Sequence, residues 1–147
     1  MMLAAALAQI TVPVQGPPPA PDPCQAVSAA PGAGCPAWRS FQEDESGVLY
    51  ADPGSVVPDG DGFEIRLRHV FAQADEDGGR SAIFRARFDC RRRTSAILHL
   101  ALFDAAGAEL FSAPTSPEQA RPERAQRRTA RADILDAYCP ARDRSST

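Results

Sequence analysis

The sequence contains no lysine; all 16 of its basic residues are arginine. That excludes Schiff-base catalysis and any phosphate loop built on a lysine. Histidine is scarce, with His69 and His99 the only two. No Cys-x-x-Cys spacing occurs, so the zinc-site and thioredoxin-like readings fall away. Neither a Gly-x-Ser-x-Gly elbow nor a Gly-x-Gly-x-x-Gly or Gly-x4-Gly-Lys loop is present, which leaves no recognisable nucleophile or nucleotide motif. No stretch approaches the ~18 consecutive apolar residues of a membrane-spanning helix. Positive charge is not in excess: 16 basic residues face 19 acidic ones, for a net charge of -3. Non-specific nucleic-acid binding needs clustered surplus positive charge, so nucleic acid is not an expected partner.

What is present suits a small exported domain. The 147 residues are 44% hydrophobic, enough for one core and short for two domains. The four cysteines, Cys24, Cys35, Cys90 and Cys139, are even in number and widely spaced, a pattern of disulfides in an oxidising compartment. Four cysteines allow three pairings. The favoured one joins Cys24 to Cys35 across a short segment of small residues, and Cys90 to Cys139. Residues 1–8 (MMLAAALA) read as the truncated end of a secretory signal with its small-residue cleavage site, although no basic residue precedes the apolar run. Residues 9–23 form a proline-rich linker, since proline neither donates to a ladder nor continues a helix. A single globular domain is expected over residues 24–140, with a flexible tail at 141–147. Cys24 follows Pro-Asp-Pro rather than the apolar-small pattern of a lipoprotein cysteine, so no lipid anchor is expected there.

The expected fold class is α+β: a mainly antiparallel sheet of five to six strands with one C-terminal helix, stapled by disulfides. Residues 38–42 and 47–52 read as short strands, the second ended by the turn dipeptide Pro53-Gly54. Residues 58–62 (PDGDG) read as a turn. Phe63, Ile65, Leu67, His69 and Phe71 alternate with Glu64, Arg66 and Arg68, the period of a half-buried strand. Ala82, Phe84, Ala86, Phe88 and Cys90 alternate with Arg85, Arg87 and Asp89, so the two segments form a hairpin across the turn at 75–79. Residues 95–103 are apolar at nearly every position, as for a strand buried on both faces. A short strand is expected over 109–113. Residues 123–139 have helix-forming composition between Pro122 and Pro140, with Arg124, Arg127, Arg128 and Arg131 mostly on the polar side.

The order of these features resembles a known family. Trp38 stands near the domain start, followed by the Tyr-x-Asp-x-x-Ser segment at Tyr50, Asp52 and Ser55 and then the alternating strand. Asp89-Cys90, the Phe103-Asp104-Ala105-Ala106-Gly107 turn, Ser116-Pro117 and Tyr138-Cys139 complete the series. In this order the chain resembles the surface-adhesin protein E-like domains of exported bacterial proteins, over about residues 38–139. The resemblance implies an antiparallel sheet with a C-terminal helix, a Cys90–Cys139 bridge and an extracytoplasmic location, whether periplasmic, secreted or at the cell surface. In the founding adhesins it also implies binding of host matrix and serum proteins. The adhesin peptide segment is not recognisable in this sequence.

Several residues are candidates for a site. His69 and His99 lie on strands that could bring them together, but two imidazoles are short of the three or four ligands that zinc takes, so no metal is expected. Asp75, Glu76 and Asp77 before Gly78-Gly79 lack the alternating ligand spacing of a calcium loop and read as a solvated turn, as do Asp59 and Asp61. Arg66, Arg68, Arg85 and Arg87, with Arg91, Arg92 and Arg93 beyond, form a basic face suited to an anionic glycan, phosphate or acidic partner. The acidic residues cluster in turns, where solvation keeps their acidity ordinary, and cysteine catalysis would need a thiolate that an oxidising compartment removes. The expected role is an exported, envelope-associated binding or structural domain without catalytic activity, adhesin-like in kind, with no cofactor. Its expected partner is an envelope or extracellular macromolecule, anionic where the arginine face receives it. The alternatives are a small periplasmic hydrolase and an enzyme inhibitor with a dispersed site.

Overall fold

The computed structural model of the chain describes residues 20, 23–26 and 35–140. The expected signal segment at 1–8 and tail at 141–147 lie outside the described residues, as does all of the linker but residues 20 and 23. A 3-10 turn, Pro23–Gln25, precedes seven strands and a helix: β1 Arg39–Asp44, β2 Gly47–Asp59, β3 Gly62–Phe71, β4 Ser81–Asp89, β5 Thr94–Phe103, β6 Glu109–Pro114, β7 Glu123–Arg124 and α1 Ala130–Tyr138. The strands form one antiparallel meander in the order β1-β2-β3-β4-β5-β6, and β7 pairs with the start of β5. The α+β expectation and the disulfide pairing both hold: Cys24 bonds Cys35 and Cys90 bonds Cys139.

Register follows from the alternation. Phe63 pairs with Phe88, Ile65 with Ala86 and Leu67 with Phe84 across β3 and β4. All six side chains therefore point to the same face, where α1 lies. Ile134 and Leu135 of α1 are fully buried against Ile65, Phe88 and Ala51. Phe63 and Phe88 stack at 5.2 Å, and the Tyr138 ring closes over Phe63 at 5.6 Å and Phe41 at 6.1 Å. Two glycines permit the close approach of neighbouring backbones. A Cβ on Gly47 (φ 139°) would stand 2.0 Å from the Val70 carbonyl oxygen, and one on Gly62 would stand 1.8 Å from that of Phe88.

Three sequence expectations are corrected. β2 does not stop at Pro53-Gly54 but runs on to Asp59, through an irregularity between Asp52 and Val57. Asp52 pairs with Arg66 and Val57 with Glu64, so residues 53–56 together oppose only Ile65. β5 is not buried on both faces; most of its positions are half-exposed, because α1 covers the sheet over β1 to β4 and stops short of it. The helix begins at Ala130 rather than at residue 123. Glu123 and Arg124 instead pair with Ser95 and Thr94. Arg128 takes a left-handed conformation (φ 60°), which no helix interior accommodates. Thr129 then caps α1, its hydroxyl accepting from the Ala132 amide and donating to the Gln126 carbonyl at 2.7 Å. Thr129→Ala should cost about 1 kcal/mol. The loss should be read as a lower urea midpoint at unchanged slope; an unshifted midpoint would show that the cap contributes nothing.

Candidate functional site

The face of the sheet opposite α1 carries the arginine alternation. Arg66 stands opposite Arg85, Arg68 opposite Ile83, Glu64 opposite Arg87 and Arg85 opposite His99. The structure thus brings Arg66, Arg68, Arg85 and Arg87 onto one face, and it assigns them unequal surroundings. Directly opposed like charges repel, so the Arg66–Arg85 pair needs counter-charges on both sides. Asp52 supplies one: its Oδ2 accepts from Arg66 Nη2 at 2.5 Å and from Nε at 3.2 Å. Glu64 supplies the other, 3.8 Å from Arg85 and 4.0 Å from Arg87. Arg87 is also paired with Asp59.

Arg68 is a structural cation. It is 5% exposed, and its guanidinium donates to the backbone carbonyls of Cys24, Gln25 and Ala26 at 3.4, 2.9 and 3.2 Å. It therefore pins the 3-10 turn and its disulfide onto the face away from α1. A buried guanidinium that spends its donors on main-chain oxygens has little left for a ligand.

The Tyr-x-Asp-x-x-Ser segment explains how β2 crosses its irregularity. Asp52 Oδ1 accepts from the Gly54 amide at 3.1 Å while Oδ2 holds Arg66. Ser55 Oγ donates to the Asp52 carbonyl at 2.8 Å and accepts from the Arg66 amide at 2.8 Å. The Arg66 guanidinium in turn lies 5.8 Å over the Trp38 ring. These residues form one staple between β2, β3 and the segment leading into β1. The sequence signal for it was the motif itself, whose role becomes clear only from the pairing.

Beside the staple lies an open concavity of about 530 Å³, lined by Ser55, Val57, Glu64, Arg66, Arg85 and His99 among others. Val57 is 59% exposed there. The concavity is amphipathic: aliphatic at Val57 and Ile83, cationic at Arg66 and Arg85.

The two histidines do not meet. His69 faces the α1 side, opposite Leu49 and Ala82, whereas His99 faces the other side, opposite Arg85. β4 lies between their strands. His69 lines a small cavity of about 120 Å³ with Gln42, Asp44 and Ser46. Burial lowers its pKa, and the negative charge of Asp44 opposes that shift. Hydrogen bonds from the Ser46 hydroxyl, the Ser46 amide and Gln42 hold the Asp44 carboxyl below its ordinary value. His99 Nε2 lies 3.3 Å from the Ser112 hydroxyl. Among the described residues no three of His, Cys, Asp and Glu are grouped to hold a metal ion.

The acidic turns are committed to local structure. Asp75 Oδ1 accepts from the amides of Asp77 and Gly79 at 3.0 and 2.6 Å. Asp59 is paired with Arg87, and the Asp61 carbonyl accepts from the Cys90 amide. Arg91, Arg92 and Arg93 do not join the strand face; they form the turn after β4, each beside a carboxylate.

Comparison with protein-family models gives a match over residues 38–140, to the family described as surface-adhesin protein E. It spans every strand, α1 and the Cys90–Cys139 bridge. Comparison with curated proteins and with solved structures gives no match.

Proposed function

Because the chain belongs to the surface-adhesin protein E family, we propose that it is an exported, envelope-associated binding domain of adhesin-like kind, working without catalysis on an extracellular macromolecule. The family match over residues 38–140 carries this reading. Two disulfides support an oxidising compartment, periplasmic or at the cell surface, because cytosolic thiols are kept reduced. The signal-like residues 1–8 agree with export. The contact region is the concavity at Val57, Arg66 and Arg85. An aliphatic anchor beside guanidinium groups suits an acidic segment of a protein partner, with Val57 burying apolar area and Arg85 receiving a carboxylate.

The test is retention of the purified, oxidised protein on an immobilised extracellular-matrix protein extract. Val57→Asp with Arg85→Glu should lower retention at least ~10-fold, the scale of losing one anchor contact worth about 1.4 kcal/mol. Wild-type protein that passes through unretained would overturn the adhesin-like reading. Wild-type and double variant retained equally would remove the concavity from it.

A further inference from the structure

Two arginine-rich turns lie side by side at the end of the sheet. β7 pairs Arg124 with Thr94, and the Ala125 amide donates to the Arg93 carbonyl at 2.9 Å. Residues 121–128 (RPERAQRR) therefore run next to residues 91–93 (RRR). Their charge balance differs. In the first turn Arg91 lies 4.0 Å from Asp61, Arg92 3.9 Å from Asp89 and Arg93 2.8 Å from Asp136. In the second, Glu123 is taken by Arg131. Arg121, Arg124, Arg127 and Arg128 are all exposed and form no ion pair with any described residue. A chain of net charge -3 thus concentrates four unneutralised cations within eight residues.

Backbone geometry adds an independent observation. Among the described residues, the only non-glycine residues at positive φ are Arg93 (55°) and Arg128 (60°), one in each turn. That conformation suits glycine or asparagine and disfavours a long side chain. At Arg93 the side chain has an internal use, its bond to Asp136. At Arg128 it forms no ion pair with any described residue. An unfavourable conformation at an exposed residue whose side chain pairs with no described carboxylate is the kind of strain that collects at ligand-binding positions.

We propose that the strip formed by residues 91–93 and 121–128 docks a linear sulfated polysaccharide, its sulfates received by Arg121, Arg124, Arg127 and Arg128. Guanidinium forks present paired N–H donors to sulfate oxygens, a geometry that a lysine ammonium lacks. A lipid surface fits less well, because interfacial binding also needs apolar anchors. Among the described residues the exposed large hydrophobics are Val57, Leu110 and Phe111, none of them in the strip. Duplex nucleic acid would demand a wider basic surface than four cations on an acidic chain provide. The strip is separate from the Val57–Arg85 concavity, so the two surfaces are tested apart.

The experiment is heparin affinity of the full, oxidised protein over a salt gradient, with chemically desulfated heparin as control. Wild-type protein should be retained on heparin at about 50 mM salt and pass through the desulfated resin. The dependence of log affinity on log salt should lose roughly one unit of slope per arginine removed. Arg128→Gly is the informative single variant. It should bind heparin more weakly while its melting temperature stays level or rises, since glycine suits the backbone there. The triple variant R124S/R127S/R128G should lose retention with the thermal transition intact, and Arg85→Glu should leave retention unchanged. Wild-type protein in the flow-through, equal binding to desulfated resin, or a triple variant that still binds would each overturn the proposal. So would equal binding to phosphatidylglycerol vesicles or duplex DNA abolished by the same substitutions, which would make the strip a general polyanion surface.

Discussion

Asp52→Ala should lower the unfolding free energy by about 2–3 kcal/mol, the cost of removing a charge-assisted acceptor from a buried site. Its side chain is 7% exposed and receives the Arg66 guanidinium and the Gly54 amide. For about 100 ordered residues this corresponds to a fall in melting temperature of roughly 10–20 °C. Two effects decide the size. The Arg66 side chain is 44% exposed and regains water when its partner leaves, which keeps the cost below that of a fully buried pair. The loss of order at residues 53–56 acts in the other direction, because these four residues oppose Ile65 alone and lack the usual ladder. Asp52→Asn retains an acceptor for Gly54 and loses the charge, so it should cost about half as much. Ser55→Ala removes the bond to the Arg66 amide and should cost about 1 kcal/mol. Urea melts of the three variants and of D52N/S55A measure the coupling, expected at ~0.5 kcal/mol or more for residues of one network. An Asp52→Ala midpoint within error of wild type would show that the staple does not hold β2.

The same staple shows where the sequence was legible. Alternation over Phe63, Ile65 and Leu67, and again over Phe84, Ala86 and Phe88, leaves one face for each strand, so hairpin, register and core follow from period two alone. Arg66, Arg68, Arg85 and Arg87 follow from the same alternation onto the opposite face. Their counter-charges do not. Asp52 and Asp59 reach the arginines from β2, whose course depends on the irregularity at 53–56, and local turn chemistry at Pro53-Gly54 argues for a strand end. The side-chain bonds of Asp52 and Ser55 override that preference from 11 to 14 residues away. The C-terminal segment failed for the converse reason. Composition over 123–128 favours a helix, but two ladder positions on β5 and the cap at Thr129 hold the chain extended. With the helix starting at Ala130, Arg124 stands on β7 and Arg127 and Arg128 on an exposed turn, none of them on a helix face. His69 and His99 show the limit of strand reasoning: parity places them on opposite faces only once the pairing of β4 with both neighbours is known.

Removing the Cys90–Cys139 bridge should be the more damaging of the two disulfide losses. The loop-entropy relation gives about 4 kcal/mol for a separation of 49 residues, against about 3 for the 11 between Cys24 and Cys35. Position widens that gap. Cys90 follows β4 and Cys139 caps α1, so the bridge ties the helix to the strand whose core it covers. A helix of nine residues does not hold itself in water. Freed from β4, α1 keeps only the burial of Ile134 and Leu135 and the Tyr138 contacts with Phe41 and Phe63. The Cys24–Cys35 segment has a second tether, the three bonds from Arg68. Cys90→Ser/Cys139→Ser should therefore lower the unfolding free energy by about 4 kcal/mol, read as a lower urea midpoint, and expose Phe63 and Phe88 to a hydrophobic dye. Cys24→Ser/Cys35→Ser should shift the midpoint less and leave dye binding at the wild-type level. Typical domain stabilities are about 5–15 kcal/mol, so the first loss leaves a small remainder. Equal midpoints for the two variants would show that loop length and helix docking do not set the order. The expected order makes the fold depend on oxidation at one bridge above the other, and a chain kept reduced would lose the cover of its sheet before it lost the sheet.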